Sequence, residues 1–344
     1  MMIAFPLALA AICLYKIKFS RFHGDYMSIP ATSSVKGVFA VMILFSHLRN
    51  YIVLSAGLGD RLFAFFLNLF GQLMVTMFFF YSGFGIMESF QKKENYHRGF
   101  LKKRVLKTLA HFDIAVLLFV AVGLLVGKTY SWQNYALALI GWESIGNSNW
   151  FIFVILALYL ITFPSMLLAR RSGQQSGKAL LLWVTLFCVA LWVPLFLLKG
   201  DVWCNTLLCY PVGMLFSLVK PRFDGVILKN KFSYYGITGA FAVTFAVLYL
   251  FKQSAVVYSA VACLFVLLFT ALTVKVKIDN GILRWLGKHA FSIYILQRLP
   301  MILLRHWGLS ENILLFSALS LVATLLLAAG FQKLTDFVDK KCFR

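Results

Sequence analysis

Two ionisable residues in one apolar segment are the first candidates for chemistry. Lys36 and His47 are eleven residues apart, which is about three helical turns plus 20°, so on a helix they share one face roughly 16 Å apart along the axis. Because an ionisable side chain in the hydrocarbon core is costly, each needs a partner or a function. Two hypotheses stay open. One is a cavity with a cation at its mouth and a titratable imidazole at its depth; the other is a snorkelling lysine and a histidine that hydrogen-bonds a neighbouring helix.

The neighbouring segments carry a second set of candidates. Ser82 and Gly83 interrupt a bulky aromatic run, which indicates either close helix packing or a place in the site. Glu88 follows near the end of the same segment. Arg104 and Lys107 are three residues apart, so on a helix they face the same way and either bind phosphates or anchor the segment to anionic lipid.

Two polar patches follow further along the chain. Residues 147–151 mark a helix start and are ambiguous between an aromatic belt and a substrate rim. Residues 286–298 are unusually polar for a membrane span, so we expect them to face the bundle interior. The other polar or interfacial candidates are Arg49, His111, Asp113, Trp150 and Tyr294.

The composition requires that membrane helices position these residues. Of 344 residues, 61% are hydrophobic and 13% are charged, and the mean hydropathy is +0.84. This excludes a soluble globular domain, a disordered tail and a small disulfide scaffold. We predict an all-α, polytopic helical membrane bundle of about 10–11 transmembrane helices. The predicted spans are 2–15, 35–54, 62–87, 109–127, 150–168, 179–198, 202–219, 232–251, 255–274, 285–304 and 313–330.

The distribution of charge predicts the orientation. The net charge is +21, and most Lys and Arg residues fall in alternate loops, which indicates loops on the cytoplasmic side rather than a nucleic-acid interface. We predict a single domain over 1–344, with the N-terminus outside and the C-terminus inside. It would comprise an extra N-terminal span at 2–15, a core at about 33–330 and a short cytoplasmic tail at 331–344. Segment 2–15 lacks the basic n-region and cleavage motif of a signal peptide.

Taken in order, these pieces resemble the membrane acyltransferase family called acyltransferase 3, bacterial enzymes that acylate cell-surface carbohydrates. The motifs that carry the resemblance are a basic residue, ten residues and a histidine (Lys36, His47, with Gly37); the aromatic Ser-Gly-Phe run (78–84); a basic pair (Arg104, Lys107); a Trp-Phe start (150–152); and a late Gly, Ser and Tyr stretch (287–297). The sequence departs from the pattern in three ways. Lysine replaces the commoner arginine at positions 36 and 107, glutamine replaces the late histidine at 297, and no proline follows the basic pair.

The resemblance implies a mechanism. Acyl-CoA, most often acetyl-CoA in this family, enters from the cytoplasm with its phosphates near Lys36, Arg104 and Lys107. The thioester reaches His47, which acts either as general base on a sugar hydroxyl or as a transient acyl carrier. Arg49, Glu88 or Asp113 would orient the imidazole. The full set of supporting residues implied for the site is Arg49, Ser82, Glu88, Asp113, Trp150 and Tyr294.

The resemblance also implies a location and partners. We expect a multi-pass protein of the bacterial cytoplasmic (inner) membrane, with a cell-envelope carbohydrate or lipid-linked glycan as acceptor, surrounded by membrane lipids. A homodimer is left open, and no nucleic acid is expected. The six cysteines form no CxxC pair, so we expect no metal site and no disulfide framework.

Two other functions compete with this one. Buried His, Arg and Lys would also suit a transporter or flippase for an anionic or lipid-linked sugar. Against that function, the two halves of the chain show no internal repeat. A non-catalytic partner of an envelope-synthesis complex is a third hypothesis, and the departure at Gln297 is its only support.

Overall fold

The computed structural model describes residues 2–19, 21–170 and 176–343. They form helices joined by short loops, and the fold class predicted from the sequence, an all-α bundle, is confirmed. The α-helices are α1 (Ala4–Leu14), α2 (Ile29–Leu48), α3 (Leu58–Phe70), α4 (Leu73–Lys92), α5 (Lys107–Leu125), α6 (Trp132–Leu139), α7 (Trp150–Arg170), α8 (Gly177–Lys199), α9 (Cys209–Ile227), α10 (Lys231–Tyr249), α11 (Ala255–Lys275), α12 (Gly281–Lys288), α13 (Ala290–Leu296), α14 (Arg298–His306) and α15 (Ile313–Cys342).

Within the described residues, eight helical stretches are long and apolar enough to cross a membrane. The protein is therefore a multi-pass membrane protein. The eight stretches are Ile29–Tyr51, Leu58–Lys92, Leu101–Leu125, Trp150–Arg170, Gly177–Lys199, Lys231–Tyr249, Ala255–Lys275 and Ile313–Cys342.

Three of the eleven predicted spans, 2–15, 202–219 and 285–304, correspond to helices in the described structure that do not reach these criteria. The predicted span 2–15 is α1, which has 11 residues and extends about 16 Å, roughly half the hydrocarbon thickness. In the predicted span 202–219, the α-helix α9 begins only at Cys209. The second half of α9 contains Lys220, Arg222 and Asp224, and these charged residues lower the mean hydropathy of the helix.

The predicted span 285–304 is divided into α12, α13 and α14. The boundaries fall at His289 and Gln297. At both positions a polar side chain is paired with a backbone carbonyl of the same segment: His289 Nδ1 lies 2.8 Å from the oxygen of Trp285, and Gln297 Nε2 donates to that of Tyr294 at 3.1 Å. Such local bonds compete with the regular helical ladder.

Two further boundaries differ from the prediction. The predicted span 62–87 is interrupted at Gly71, whose positive φ of 45° ends α3 before α4 begins and is adopted readily only by glycine. The predicted tail 331–344 is helical as far as Cys342, and its last residue, Arg344, lies outside the described residues. The helix continues because Phe331 and Thr335 are buried in the bundle.

A reciprocal pair of glycines sets the contact between α2 and α12. A Cβ added to Gly37 would lie 2.2 Å from the carbonyl oxygen of Leu283, and one added to Gly287 would lie 1.8 Å from that of Ser33. Both distances are far below van der Waals contact, so neither position admits a side chain. The two backbones therefore touch where Lys36 enters the bundle.

Helices α4 and α9 meet in the same way. A Cβ added to Gly83 would lie 2.0 Å from the carbonyl oxygen of Tyr210, and one added to Gly213 would lie 2.0 Å from that of Phe80. The sequence left two roles open for Ser82 and Gly83: close helix packing or a place in the site. The structure assigns Gly83 to close helix packing.

Polar contacts hold the start of α2 beside the loop that leads into α12. Ser34 Oγ donates to Asp279 Oδ1 at 3.0 Å. Nearby, Lys277 Nζ donates to Asp25 Oδ2 at 2.5 Å, and this hydrogen bond holds the pKa of the Asp25 carboxyl below its ordinary value. Together with the glycine contact, these bonds fix the position of α2 along its axis relative to α12.

Because the α2–α12 crossing leaves no room for a methyl group, Gly287→Ala should force the helices apart. We expect a lower midpoint of thermal unfolding in detergent, measured by fluorescence-detected size-exclusion chromatography. Gly236→Ala in α10 is the matched control, since a Cβ there meets nothing within 4 Å and alanine favours a helix by about 1 kcal/mol. Equal stability of the two variants would contradict this account of the crossing.

Candidate active site

One face of α2 lines a cavity at the centre of the bundle. Lys36, Ala40 and Ile43 lie on this face, and the cavity has a volume of about 260 Å³. The same face continues one turn further to His47, as the spacing predicts. The opposite wall includes Tyr294 of α13, whose ring lies 6.3 Å from the His47 imidazole and meets it edge-on. His47 therefore lies next to the end of the cavity that is farthest from Lys36.

Two larger cavities lie between Lys36 and the basic end of the bundle, the end at which α2 begins. Lys36 also lines a cavity of about 560 Å³, together with Glu88 and Arg104. Arg104 in turn lines a third cavity of about 620 Å³, together with Lys103 and Lys107. Because neighbouring cavities share these residues, they adjoin one another between the basic surface and the vicinity of His47. Lys36, Arg104 and Lys107 thus line adjoining cavities.

The inner cavity is lined mainly by apolar side chains. Val75 and Phe78 of α4, Phe151 of α7 and Phe291 of α13 form its walls. Lys288 of α12 adds a second cation beside Lys36. Such a cavity fits an elongated, mostly uncharged molecule that carries its negative charge at one end.

Arg104 lies in a π-helical turn over Leu101–Leu106, immediately before α5. Widened turns of this kind are rare and often occur at functional sites. Among the residues that the structure describes, no carboxylate forms a salt bridge with Arg104. Its charge is therefore available to an anion in either of the two cavities that it lines.

Lys107 differs from Arg104 because its charge has a partner. Lys107 Nζ lies 2.5 Å from Asp339 Oδ2, and His111 Nε2 lies 2.9 Å from the other oxygen of the same carboxylate. Asp339 belongs to the helical continuation of α15 beyond residue 330. An anion that bound Lys107 would have to compete with this carboxylate.

The closest polar neighbour of His47 is a hydroxyl. Ser148 Oγ lies 3.4 Å from His47 Nε2. Arg298 of α14 is close to the same place: its Nε donates to the hydroxyl of Tyr51 at 3.0 Å, and its Nη1 donates to the carbonyl of Asn147 at 3.2 Å. The imidazole thus lies between the tyrosine of α13 and the loop before α7.

None of the three residues expected to orient the imidazole pairs with it in the described structure. Arg49 donates to Asn68 of α3 at 2.6 Å. Glu88 lies near the basic end, where it accepts from Lys92 at 2.6 Å and from Ser217 at 2.7 Å. Their positions follow from the fold: α2 ends at Leu48, so Arg49 lies beyond it and reaches α3, and Glu88 lies about four helical turns from the start of α4.

Three more predicted residues lie outside the cavity. Asp113 is half-buried in α5, and its Oδ1 has no hydrogen-bond partner within the described ranges. Ser82 pairs with the hydroxyl of Tyr159 at 2.9 Å. Trp150 packs perpendicular to Phe151. Of the six supporting residues, Tyr294 is the one that contacts His47.

Sequence reasoning missed four polar residues at the site. Ser148 and Asn147 belong to the patch at 147–151, and Lys288 and Arg298 belong to the patch at 286–298. Both patches are visible in the sequence as polar interruptions, but nothing in their spacing relates them to His47. Only the folding of the loop and of α12 to α14 around α2 brings them together.

The described residues include no group of three or more His, Cys, Asp or Glu placed to hold a metal ion. All six cysteines are free thiols.

These features define a class: a multi-pass helical membrane protein with adjoining cavities between a basic surface and a half-buried histidine. Residues 33–332 match the family model described as the acyltransferase domain, Acyl_transf_3. The chain therefore belongs to the acyltransferase 3 family, and the resemblance noted in the sequence is confirmed. The comparisons with curated proteins and with solved structures found no match.

The cavity series can be tested by cysteine labelling. In a background without native cysteines, Phe78→Cys should react with a small, membrane-impermeant thiosulfonate added from the basic side, because Phe78 lines the inner cavity. Phe79→Cys is the matched control, since Phe79 is fully buried and lines none of these cavities. Equal labelling of the two, or labelling of Phe78→Cys only from the other side, would contradict the path.

Proposed function

We propose that this protein is an acyl-CoA-dependent O-acyltransferase that moves an acyl group, most simply acetyl, to a hydroxyl of a cell-envelope carbohydrate or a related acceptor. Membership of the acyltransferase family supports the general activity. The observation that carries the finer proposal is the series of cavities with cations at one end and His47 at the other.

The cations at the mouth suit the phosphates of coenzyme A. Arg104 has no carboxylate partner in the described structure. Lys36 and Lys107 line the adjoining cavities, and a phosphate would compete with Asp339 for Lys107. Charge-assisted hydrogen bonds to phosphate are among the stronger polar contacts. The apolar walls beyond Lys36 then suit the largely uncharged pantetheine arm, which would bring the thioester towards Tyr294 and His47.

The proposed reaction needs one general base. His47 Nε2 accepts the proton of the acceptor hydroxyl while the oxygen of that hydroxyl attacks the thioester carbonyl carbon. The carbon–sulfur bond breaks as the ester bond forms, and the leaving thiolate takes the proton from the imidazolium. Ser148 Oγ, 3.4 Å from Nε2, marks where a hydroxyl can approach this nitrogen. In the other route, His47 carries the acyl group transiently.

The location follows from the charge distribution. With the basic end in the cytoplasm, acyl-CoA enters where it is made, and His47 lies towards the opposite surface. We therefore propose a multi-pass protein of the bacterial cytoplasmic membrane, with the N-terminus outside and the C-terminus inside. The acceptor would then reach His47 from the outer side or from the outer leaflet.

If His47 is the base or acyl carrier, His47→Ala should lower transfer from radiolabelled acetyl-CoA by about 100-fold or more. The purified protein in detergent would be assayed for label release and protein acylation. His306→Ala is the control, because His306 is an exposed histidine at the end of α14. Unchanged turnover in His47→Ala would refute the mechanism. Donor binding without a covalent product in the wild type would favour the transporter alternative.

The cations should determine donor affinity. Arg104→Gln and Lys36→Gln should each raise the KM for acetyl-CoA by about ten-fold, since a hydrogen bond to a charged group contributes roughly 1.5–3 kcal/mol. Arg104→Lys should restore part of the loss, because lysine keeps the charge without the bidentate geometry. Lys229→Gln removes an exposed charge outside the cavities and should have no effect. A KM that changes equally in all variants would argue against this phosphate site.

A further inference from the structure

A cluster of buried amides and a guanidinium lies beside His47 and has no role in the donor path. Asn147 is 2% exposed and Gln297 is 0% exposed. Within the described chain, Asn147 Nδ2 and Gln297 Oε1 have no hydrogen-bond partner. Buried polar groups are rarely left without a partner, so each of these atoms calls for an explanation.

The orientation of both amides is fixed by their other contacts. Asn147 accepts from the backbone N–H of Ile145 at 3.0 Å, which only a side-chain oxygen can do. Gln297 donates to the backbone carbonyl of Tyr294 at 3.1 Å, which only a side-chain nitrogen can do. The free atom is therefore an N–H donor at Asn147 and a carbonyl acceptor at Gln297.

Helix geometry and the contacts of its neighbours relate Gln297 to His47. Tyr294, Gln297 and Arg298 are at positions i, i+3 and i+4, so they share one face of the α13–α14 segment. Tyr294 on this face meets the His47 imidazole, and Arg298 bonds to the carbonyl of Asn147. Asn147 precedes Ser148, the hydroxyl nearest to His47.

A free donor and a free acceptor together complement a hydroxyl group, which both donates and accepts. The remaining N–H groups of Arg298 add donors, and its partners in the described structure are the neutral groups of Tyr51 and Asn147. An unesterified hydroxyl next to the reacting one offers an acceptor for Asn147 Nδ2 and a donor for Gln297 Oε1. This pattern belongs to a polyol such as a sugar ring, not to a simple alcohol.

We propose that Asn147, Gln297 and Arg298 form the acceptor subsite and hold a sugar through the hydroxyl that neighbours the acylated one. The inference rests on the proposed acyltransferase function and adds the residues that select the acceptor. Donor and acceptor would then reach His47 from opposite ends, with Tyr294 at the junction.

Asn147→Asp is the sharpest test, because it keeps the oxygen that binds Ile145 and replaces the free donor with an acceptor. Gln297→Met is the second variant and removes the free acceptor at similar volume. Asn312→Asp is the matched control: Asn312 caps α15 through its oxygen, a role that aspartate also fills. The probes are the methyl glycosides of glucose, galactose, mannose and N-acetylglucosamine, with cyclohexanol as the simple alcohol and radiolabelled acetyl-CoA as donor.

We expect the wild type to acetylate at least one glycoside and to prefer it to cyclohexanol. Asn147→Asp and Gln297→Met should each lower kcat/KM for that glycoside by about ten-fold or more, with a smaller change in the KM for acetyl-CoA, while Asn312→Asp matches the wild type. Equal losses for glycoside and cyclohexanol, or no loss, would overturn the subsite. Acetyl-CoA hydrolysis without transfer to any glycoside would also overturn the acceptor subsite, but it would not contradict the proposed acyltransferase function. Absence of both hydrolysis and transfer would count against the proposed function itself.

Discussion

The backbone contact between α2 and α12 is the constraint on which the site depends. Gly37 and Gly287 each face a carbonyl oxygen of the other helix at a distance that excludes a Cβ. Helix α2 carries Lys36 and His47, and the segment that begins with α12 carries Lys288 and Tyr294. The close contact between these two elements therefore fixes the positions of both walls of the inner cavity.

Electrostatics then gives the cavity a direction. The cations Lys36, Lys288 and Arg104 line the path, while the carboxylate of Asp339 neutralises Lys107 at its outer edge. An unneutralised cation inside a membrane protein attracts an anion more strongly than it would in water. Beyond these charges the walls are apolar, so a ligand with a charged head and a neutral arm has one favourable orientation.

The opposite end of the bundle is polar but lacks a carboxylate partner for the imidazole in the described structure. His47 has a serine, a tyrosine and an arginine around it instead of the expected acid. Neutral amides and hydroxyls suit recognition of an uncharged polyol, whereas a chain of acids would suit proton or cation movement. The two ends thus differ in chemistry.

The sequence alone determined the all-α membrane class, the family, and the shared face of Lys36 and His47. These follow from local rules: apolar length, the helical period and an ordered set of motifs. It did not predict that residues 285–304 divide into three helices, that α15 continues to carry Asp339, or that Ser148 and Arg298 lie beside His47. The last two outcomes depend on contacts between residues 100 or more positions apart in the chain, such as Ser148 with His47 and Lys107 with Asp339, whereas the division of 285–304 coincides with local bonds at His289 and Gln297. Only the packed bundle decides such contacts, because burial and hydrogen bonding at a distance override the local apolar pattern.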